Sequence, residues 1–165
     1  MSPPVFPGEY AVWDDGEWIS WDSINQHVYR QELRERFPDG DLAVIEVFEQ
    51  IIDAAKQYRL VTGRYLPVFG ELGEIFAELT LGLERNRPNA QGADGRIGND
   101  HVEVKTITPE NKHEKAVVKR KGNFSKLVVV KIDEDFNFEA RILDRKDMAK
   151  GKGSVAKVYW SSIKS

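Results

Sequence analysis

The chain has 165 residues, a formal net charge of −3, a composition ordinary for a soluble globular protein, and no cysteine. The missing cysteines exclude disulfides, thiolate metal sites and a cysteine nucleophile and fit a reducing cytoplasm, and three scattered histidines (His27, His101, His113) are too few for a zinc cluster. No apolar run approaches a membrane span and the N-terminus lacks a basic-then-apolar signal pattern, so a cytoplasmic protein is expected, one domain with at most a small appendage.

Residues 1–8 are Pro-rich and predict irregular chain. Two short aromatic runs, 9–13 and 17–21, flank Asp14-Asp15-Gly16 and predict a β-hairpin. Asp22 or Ser23 is placed to cap a helix reaching Phe37, and Pro38-Asp39-Gly40 to turn the chain. Asp41 then caps a strongly periodic helix to about Tyr58, with Leu42, Ile45, Phe48, Ile52 and Ala55 as its apolar stripe, widened by Val44, Val47 and Ile51. After a connector holding Gly63 and Pro67, Gly70 to Gly82 reads as a helix with Leu72, Ile75, Phe76, Leu79 and Leu83 on its apolar side. Glu71, Glu74 and Glu78 fall elsewhere on its surface.

A short strand is expected to end near Asp94, a turn to occupy Gly95 to Asp100, and a clear strand to span 101–107. Residues 110–121 read as helix or loop. Lys126 to Ile132 reads as a buried strand, Phe136 to Leu143 as its successor after Asp133-Glu134-Asp135, and Ser154 to Ile163 as a last strand or docked segment. The fold class expected is α/β, a mixed central sheet flanked by helices. Residues 1–60 would form an acidic hairpin-and-helix segment packed on a core of residues 61–165.

The chemistry concentrates in Asp94, Glu103 and Lys105. In His101-Val102-Glu103-Val104-Lys105-Thr106-Ile107 the valines alternate with the charged residues, so Glu103 and Lys105 project from one strand face. A hairpin after Asp94 folds it back toward Glu103. Two carboxylates and a lysine at the ends of paired strands suit a hard divalent cation and a negatively charged transition state. Charge is unevenly spread: residues 1–60 carry 12 acidic and 5 basic side chains, and residues 61–165 carry 15 and 19. Lys112, Lys115, Lys119, Arg120 and Lys121 crowd one short stretch and could track a phosphate backbone, or could form an ordinary solvated loop.

Gly70-Glu71-Leu72-Gly73-Glu74, Gly92-Ala93-Asp94-Gly95 and Val102-Glu103-Val104-Lys105-Thr106 together resemble the restriction-endonuclease-like superfamily, whose signature is PD-(D/E)xK. The resemblance covers roughly residues 70–143; Ala93 stands where the signature has proline, and residues 1–60 match no part of it. It implies a restriction-endonuclease-like core with the site at one end of a bent hairpin. Asp94 and Glu103 would bind Mg²⁺ or Mn²⁺, Lys105 would orient or deprotonate the attacking water, and Glu74 or Glu71 would add a metal contact. Glu74 is preferred, because Glu71 lies in the first turn and also serves the helix dipole. The implied activity is an endonuclease acting on nucleic acid, DNA foremost, with a homodimer or successive nicks needed to cut both strands.

Other motifs carry less. His101 alternates onto the side of Glu103 and reads chiefly as a polar strand end; Lys126 reads as a strand-edge lysine. Tyr10, Trp13, Trp18 and Trp21 read as a satellite core on the following helix in preference to a base-stacking surface. Gly70-x-x-Gly73 lacks the Lys-Ser/Thr ending of a phosphate loop. Two competing functions remain at this level: a non-catalytic nucleic-acid-binding or protein-interaction module on the same fold, and a structural protein whose acidic N-terminal half docks on a basic partner.

Overall fold

Residues 10–88, 90 and 92–165 are described in a computed structural model of the chain. By their contacts they divide into a unit ending at Pro38 and a unit spanning Asp39–Ser165.

In the first unit, β1 (Ala11–Asp14) and β2 (Glu17–Ser20) pair antiparallel around Asp15 and Gly16, with φ of 39° and 93°. Two left-handed residues in succession make the turn whose twist matches a hairpin. Glu9, expected at its start, lies outside the described residues. Helix α1 (Trp21–Arg36) follows at once. Its cap is Ser20, not Asp22 or Ser23: Ser20 ends the extended strand, and its hydroxyl accepts from the Ser23 N–H at 3.1 Å. Trp13 and Trp18 are cross-strand partners packed edge to face at 5.3 Å. Trp13 and Trp21 remain 47% and 45% exposed, so the aromatic hairpin does not close into the satellite core expected of it.

The second unit opens with α2 (Leu42–Thr62), capped by Asp41, whose carboxylate accepts from the N–H groups of Ala43 and Val44. It passes the expected stop at Tyr58 because Gly63, at φ 68°, is the residue that takes the left-handed C-cap. This helix belongs with the later chain, so the contact division falls at residue 38 where the sequence reading put it at 60. Phe48 packs against Phe76 of α3 (Phe69–Leu81) and against Phe138, at 6.4 and 5.2 Å.

Then come β3 (Glu84–Arg85), β4 (Gly95–Ile97), β5 (Asp100–Ile107), β6 (Lys115–Lys119), β7 (Lys126–Ile132), β8 (Phe138–Asp144) and β9 (Val155–Tyr159). Five of them form a mixed sheet in the order β3-β4-β5-β7-β8, in which only β5 and β7 run parallel; β6 and β9 form a separate antiparallel pair. The mixed α/β class with a mixed central sheet is therefore what the chain adopts. Residues Leu127–Val130 are fully buried, as a strand covered on both faces requires. Val104, Val128 and Phe138 face the helices. Ile107, Leu127 and Val129 face a second apolar cluster with Ala116, Val118, Ala156, Val158 and Trp160. Among the described residues, then, helices cover one face of the sheet and a two-stranded ribbon covers the other.

Three local readings change. Gly95–Ile97 is strand, and the turn shrinks to Gly98 and Asn99; Gly98, at φ 59°, bends the chain tightly enough for Ile97 to pair with Asp100. The stretch read as helix or loop contains β6, whose period-two pattern of buried Ala116 and Val118 is masked in sequence by flanking lysines. Strand β8 starts at Phe138, because Asp133 accepts from the N–H groups of Asp135 and Asn137 and holds the intervening residues in a turn.

Gly73 sets how closely α3 approaches β5. A Cβ there would lie 3.2 Å from Thr106 Cβ and overlap its hydroxyl. Glycine inside a helix costs ~1 kcal/mol relative to alanine, yet Gly73→Ala is expected to destabilise the protein by about 1–3 kcal/mol through overpacking. Urea denaturation of Gly73→Ala alone and with Thr106→Ala measures this; the second change should recover most of the loss.

Candidate active site

Strand β4 is short, and its pairing with β5 ends at Gly95 with Val102. Asp94 lies just beyond that pairing, where the ladder becomes irregular. The Asp94 N–H donates to Val102 O at 2.9 Å, and its carbonyl accepts from the Asn86 N–H at 2.9 Å. With its carbonyl turned toward β3, Asp94 uses its side chain to continue the ladder: Oδ2 accepts from the Val104 N–H at 2.7 Å. Asn86 also donates through Nδ2 to Ala93 O at 2.7 Å. Asp94 is thus held on three sides, and the residue before it needs no proline to fix it.

Glu103 and Lys105 project from one face of β5, as their alternation predicts. Lys105 Nζ lies 2.6 Å from Glu103 Oε1, with both side chains partly buried. Beside them on β7 stand Leu127 and Val129, which give the charged pair an apolar flank.

Helix α3 brings the third carboxylate. Glu74 has its carboxyl raised above the usual range by burial, then by the charges of Asp94 and Glu71, against the opposing pull of Arg85 and Lys105. Glu74 is therefore within electrostatic reach of the strand residues from the helical side. Glu71 is placed differently: Arg85 Nη1 donates to its Oε1 at 2.6 Å, and its side chain is 55% exposed against 33% for Glu74. Arg85 also donates to Glu78 at 2.8 Å and comes within 3.8 Å of Glu74. These groups line a cleft of about 580 Å³ between α3 and β3.

Arg85 was not singled out in the sequence, because the two-residue β3 carries no readable period. The available signal was on the helix: glutamates at 71, 74 and 78 share one face, where a cation between them would ease their repulsion.

The basic stretch divides. Lys115 and Lys119 project outward from β6, and Lys112 and Lys121 are exposed on either side of it. Arg120 is turned inward and donates to Ala149 O at 2.6 Å and Val155 O at 3.2 Å, which makes it a structural clamp. His101 is exposed. Lys126 lies between Asp100 and Asp144, at 3.6 and 3.5 Å, on the opposite side of the sheet from Lys105.

Asp94, Glu103 and Glu74 offer hard carboxylate oxygens, and the Glu74 carboxyl is raised first by burial and then by the charges of Asp94 and Glu71. This donor chemistry fits Mg²⁺ or Mn²⁺. Their side chains are engaged elsewhere, with Glu103 on Lys105 and Asp94 on Val104. Among the described residues no group of three or more His, Asp or Glu is arranged to hold a metal ion. No helix of the described residues is long and apolar enough to cross a membrane. No protein-family model and no curated protein matches this chain.

Two outcomes follow from the geometry. Asp94→Ala leaves the Val104 N–H without its acceptor and should cost about 1–3 kcal/mol in urea denaturation, whereas Asp94→Asn keeps an acceptor oxygen and should cost less. A carboxyl whose folded pKa is raised binds its proton more tightly in the native state than in the unfolded chain. Its ionisation therefore costs stability as pH rises from 4.5 through the folded value. Glu74→Gln should raise Tm at pH 7 and leave it unchanged below pH 4.5, as read by thermal melts across that range.

Proposed function

We propose that this chain is a metal-dependent phosphodiester hydrolase, an endonuclease of the restriction-endonuclease-like fold, acting on nucleic acid with DNA as the favoured substrate. The observation that carries the reading is the Asp94 carboxylate held on the Val104 N–H, between Glu103 and Lys105, with Lys105 paired to Glu103 and Glu74 within electrostatic reach from α3. The order of elements supports it: a glutamate-bearing helix, a tight hairpin, the Glu103-Val104-Lys105 strand, then a buried parallel neighbour.

Asp94 and Glu103 would hold Mg²⁺ or Mn²⁺ with Glu74 completing the set, and the ion supplies Lewis acidity and a more acidic water. The chain's own residues do the rest. Asp94, fixed through Val104, keeps one carboxylate oxygen directed by the backbone. Lys105 is an ammonium with three donors and no acceptor, so it orients the attacking water and balances charge on the phosphate as the bond breaks. Glu103 positions Lys105 through their ion pair until a phosphate competes for it. A chain this small supplies one such site, so a double-strand cut requires a homodimer or two nicks.

A second reading is a non-catalytic module on the same fold. It draws on the closed Glu103–Lys105 pair and on the lack of a ready metal arrangement among the described residues.

Incubation with supercoiled plasmid, single-stranded DNA and RNA, in Mg²⁺, Mn²⁺ or EDTA, separates them. The hydrolase requires metal-dependent cleavage that falls by on the order of 10²–10³ in Glu103→Gln and in Lys105→Ala. Mg²⁺ should also raise the Tm of the wild type and not that of Asp94→Asn/Glu103→Gln. Salt-sensitive binding without cleavage or a metal-induced shift supports the module.

A further inference from the structure

The β6–β9 ribbon has two faces of opposite character. Ala116, Val118, Ala156 and Val158 are buried against the central sheet. The other face carries Lys115, Val117 and Lys119 on β6, set across from Tyr159, Lys157 and Val155 on β9. Lys157 falls opposite Val117, between the two lysines of the neighbouring strand, so three ammonium groups form a triangle on one small surface. Neither strand contains an acidic residue. Among the described residues none of the three lysines takes part in an ion pair.

An ordinary solvated face would surround its lysines with polar residues. Here Val117 and Tyr159 are 47% and 48% exposed in their midst. Arg120 stiffens the platform: its N–H donates to Ser154 O at 2.9 Å, and its guanidinium reaches Val155 O and Ala149 O, tying the end of β6 to the start of β9. The ribbon covers the sheet face that bears Glu103 and Lys105: Ile107, in one apolar cluster with Ala116 and Val118, lies on that same face of β5. Two strands about 4.8 Å apart are narrower than the ≈12 Å major groove of duplex DNA.

We infer that the outward face of the β6–β9 ribbon, through Lys115, Lys119, Lys157 and Tyr159, is a docking surface for the phosphate backbone of duplex DNA. Lys157 and Tyr159 come from the C-terminal strand, 42 and 44 residues beyond Lys115, and join the basic stretch only through the β6–β9 register. The inference rests on a nucleic-acid substrate but not on turnover. Lysine contacts to phosphate release counterions, so they set affinity and its salt dependence with little regard to base sequence.

Fluorescence anisotropy of a short fluorescein-labelled DNA duplex in EDTA tests it with the full chain. Lys115→Ala/Lys119→Ala/Lys157→Ala should weaken binding at least about tenfold and reduce the slope of log K against log salt by about 2–3. Tyr159→Ala should weaken it by a smaller factor. Lys146→Ala, an exposed lysine outside the ribbon, should bind as the wild type does. Circular dichroism and Tm confirm that the variants fold. The inference is overturned if the wild type does not bind, if the triple variant binds equally well, or if poly-glutamate displaces the duplex as readily as unlabelled DNA at equal charge. The last result would assign the ribbon to an acidic protein. Ribbon-dependent binding with no cleavage in Mg²⁺ or Mn²⁺ removes the hydrolase and leaves the ribbon; cleavage and binding both unchanged in the triple variant do the reverse.

Discussion

The Asp94 carboxylate accepting from the Val104 N–H is the contact around which the candidate site is organised. Where β4 stops pairing, β5 would be left with a partly buried backbone donor and no strand opposite it. A side-chain oxygen takes over the role of the missing carbonyl. The same bond therefore satisfies the Val104 N–H and holds an acidic side chain beside the Glu103-Val104-Lys105 segment. Structural need and chemical placement coincide in one side chain, and Asn86, by taking the Asp94 carbonyl, frees the carboxylate for that role.

Negative charge around that point is managed unevenly. Arg85 binds Glu71 and Glu78 closely and Glu74 only at a distance. Lys105 binds Glu103. Glu74 is partly buried, and its proton affinity is raised first by that burial and then by the charges of Asp94 and Glu71. The two glutamates of α3 that the sequence leaves as alternatives are separated by this electrostatic division.

The central sheet divides the work between its faces. Gly73 lets α3 sit tightly against Thr106, and Phe48, Phe76 and Phe138 build the helical side. On the other side Ile107, Leu127 and Val129 anchor the ribbon, while Glu103 and Lys105 emerge from the same strand face. A single alternation along β5 thus supplies core contacts to both layers and sets the charged pair on the ribbon side.

Much of this was legible from local pattern. The α2 cap at Asp41, the left-handed stop of α3 at Gly82, the buried strand 126–132 and the shared face of Glu103 and Lys105 all follow from short-range geometry, which depends on a few neighbouring residues. The ribbon was hidden, because β6 is five residues long, flanked by lysines, and buries its small apolar residues only when β9 arrives from the far end of the chain. Arg85 and the inward turn of Arg120 were hidden for the same reason, since a charged side chain's partner is set by distant elements. The amino-acid order alone determined the helices, the central strands and the facing of Glu103 with Lys105, because backbone periodicity is a local property. Only tertiary packing decided that Asp94 caps Val104, that Glu71 pairs with Arg85 while Glu74 lies within electrostatic reach of Asp94 and Lys105, and that β9 joins β6 in one ribbon, because those contacts join segments that share no local pattern.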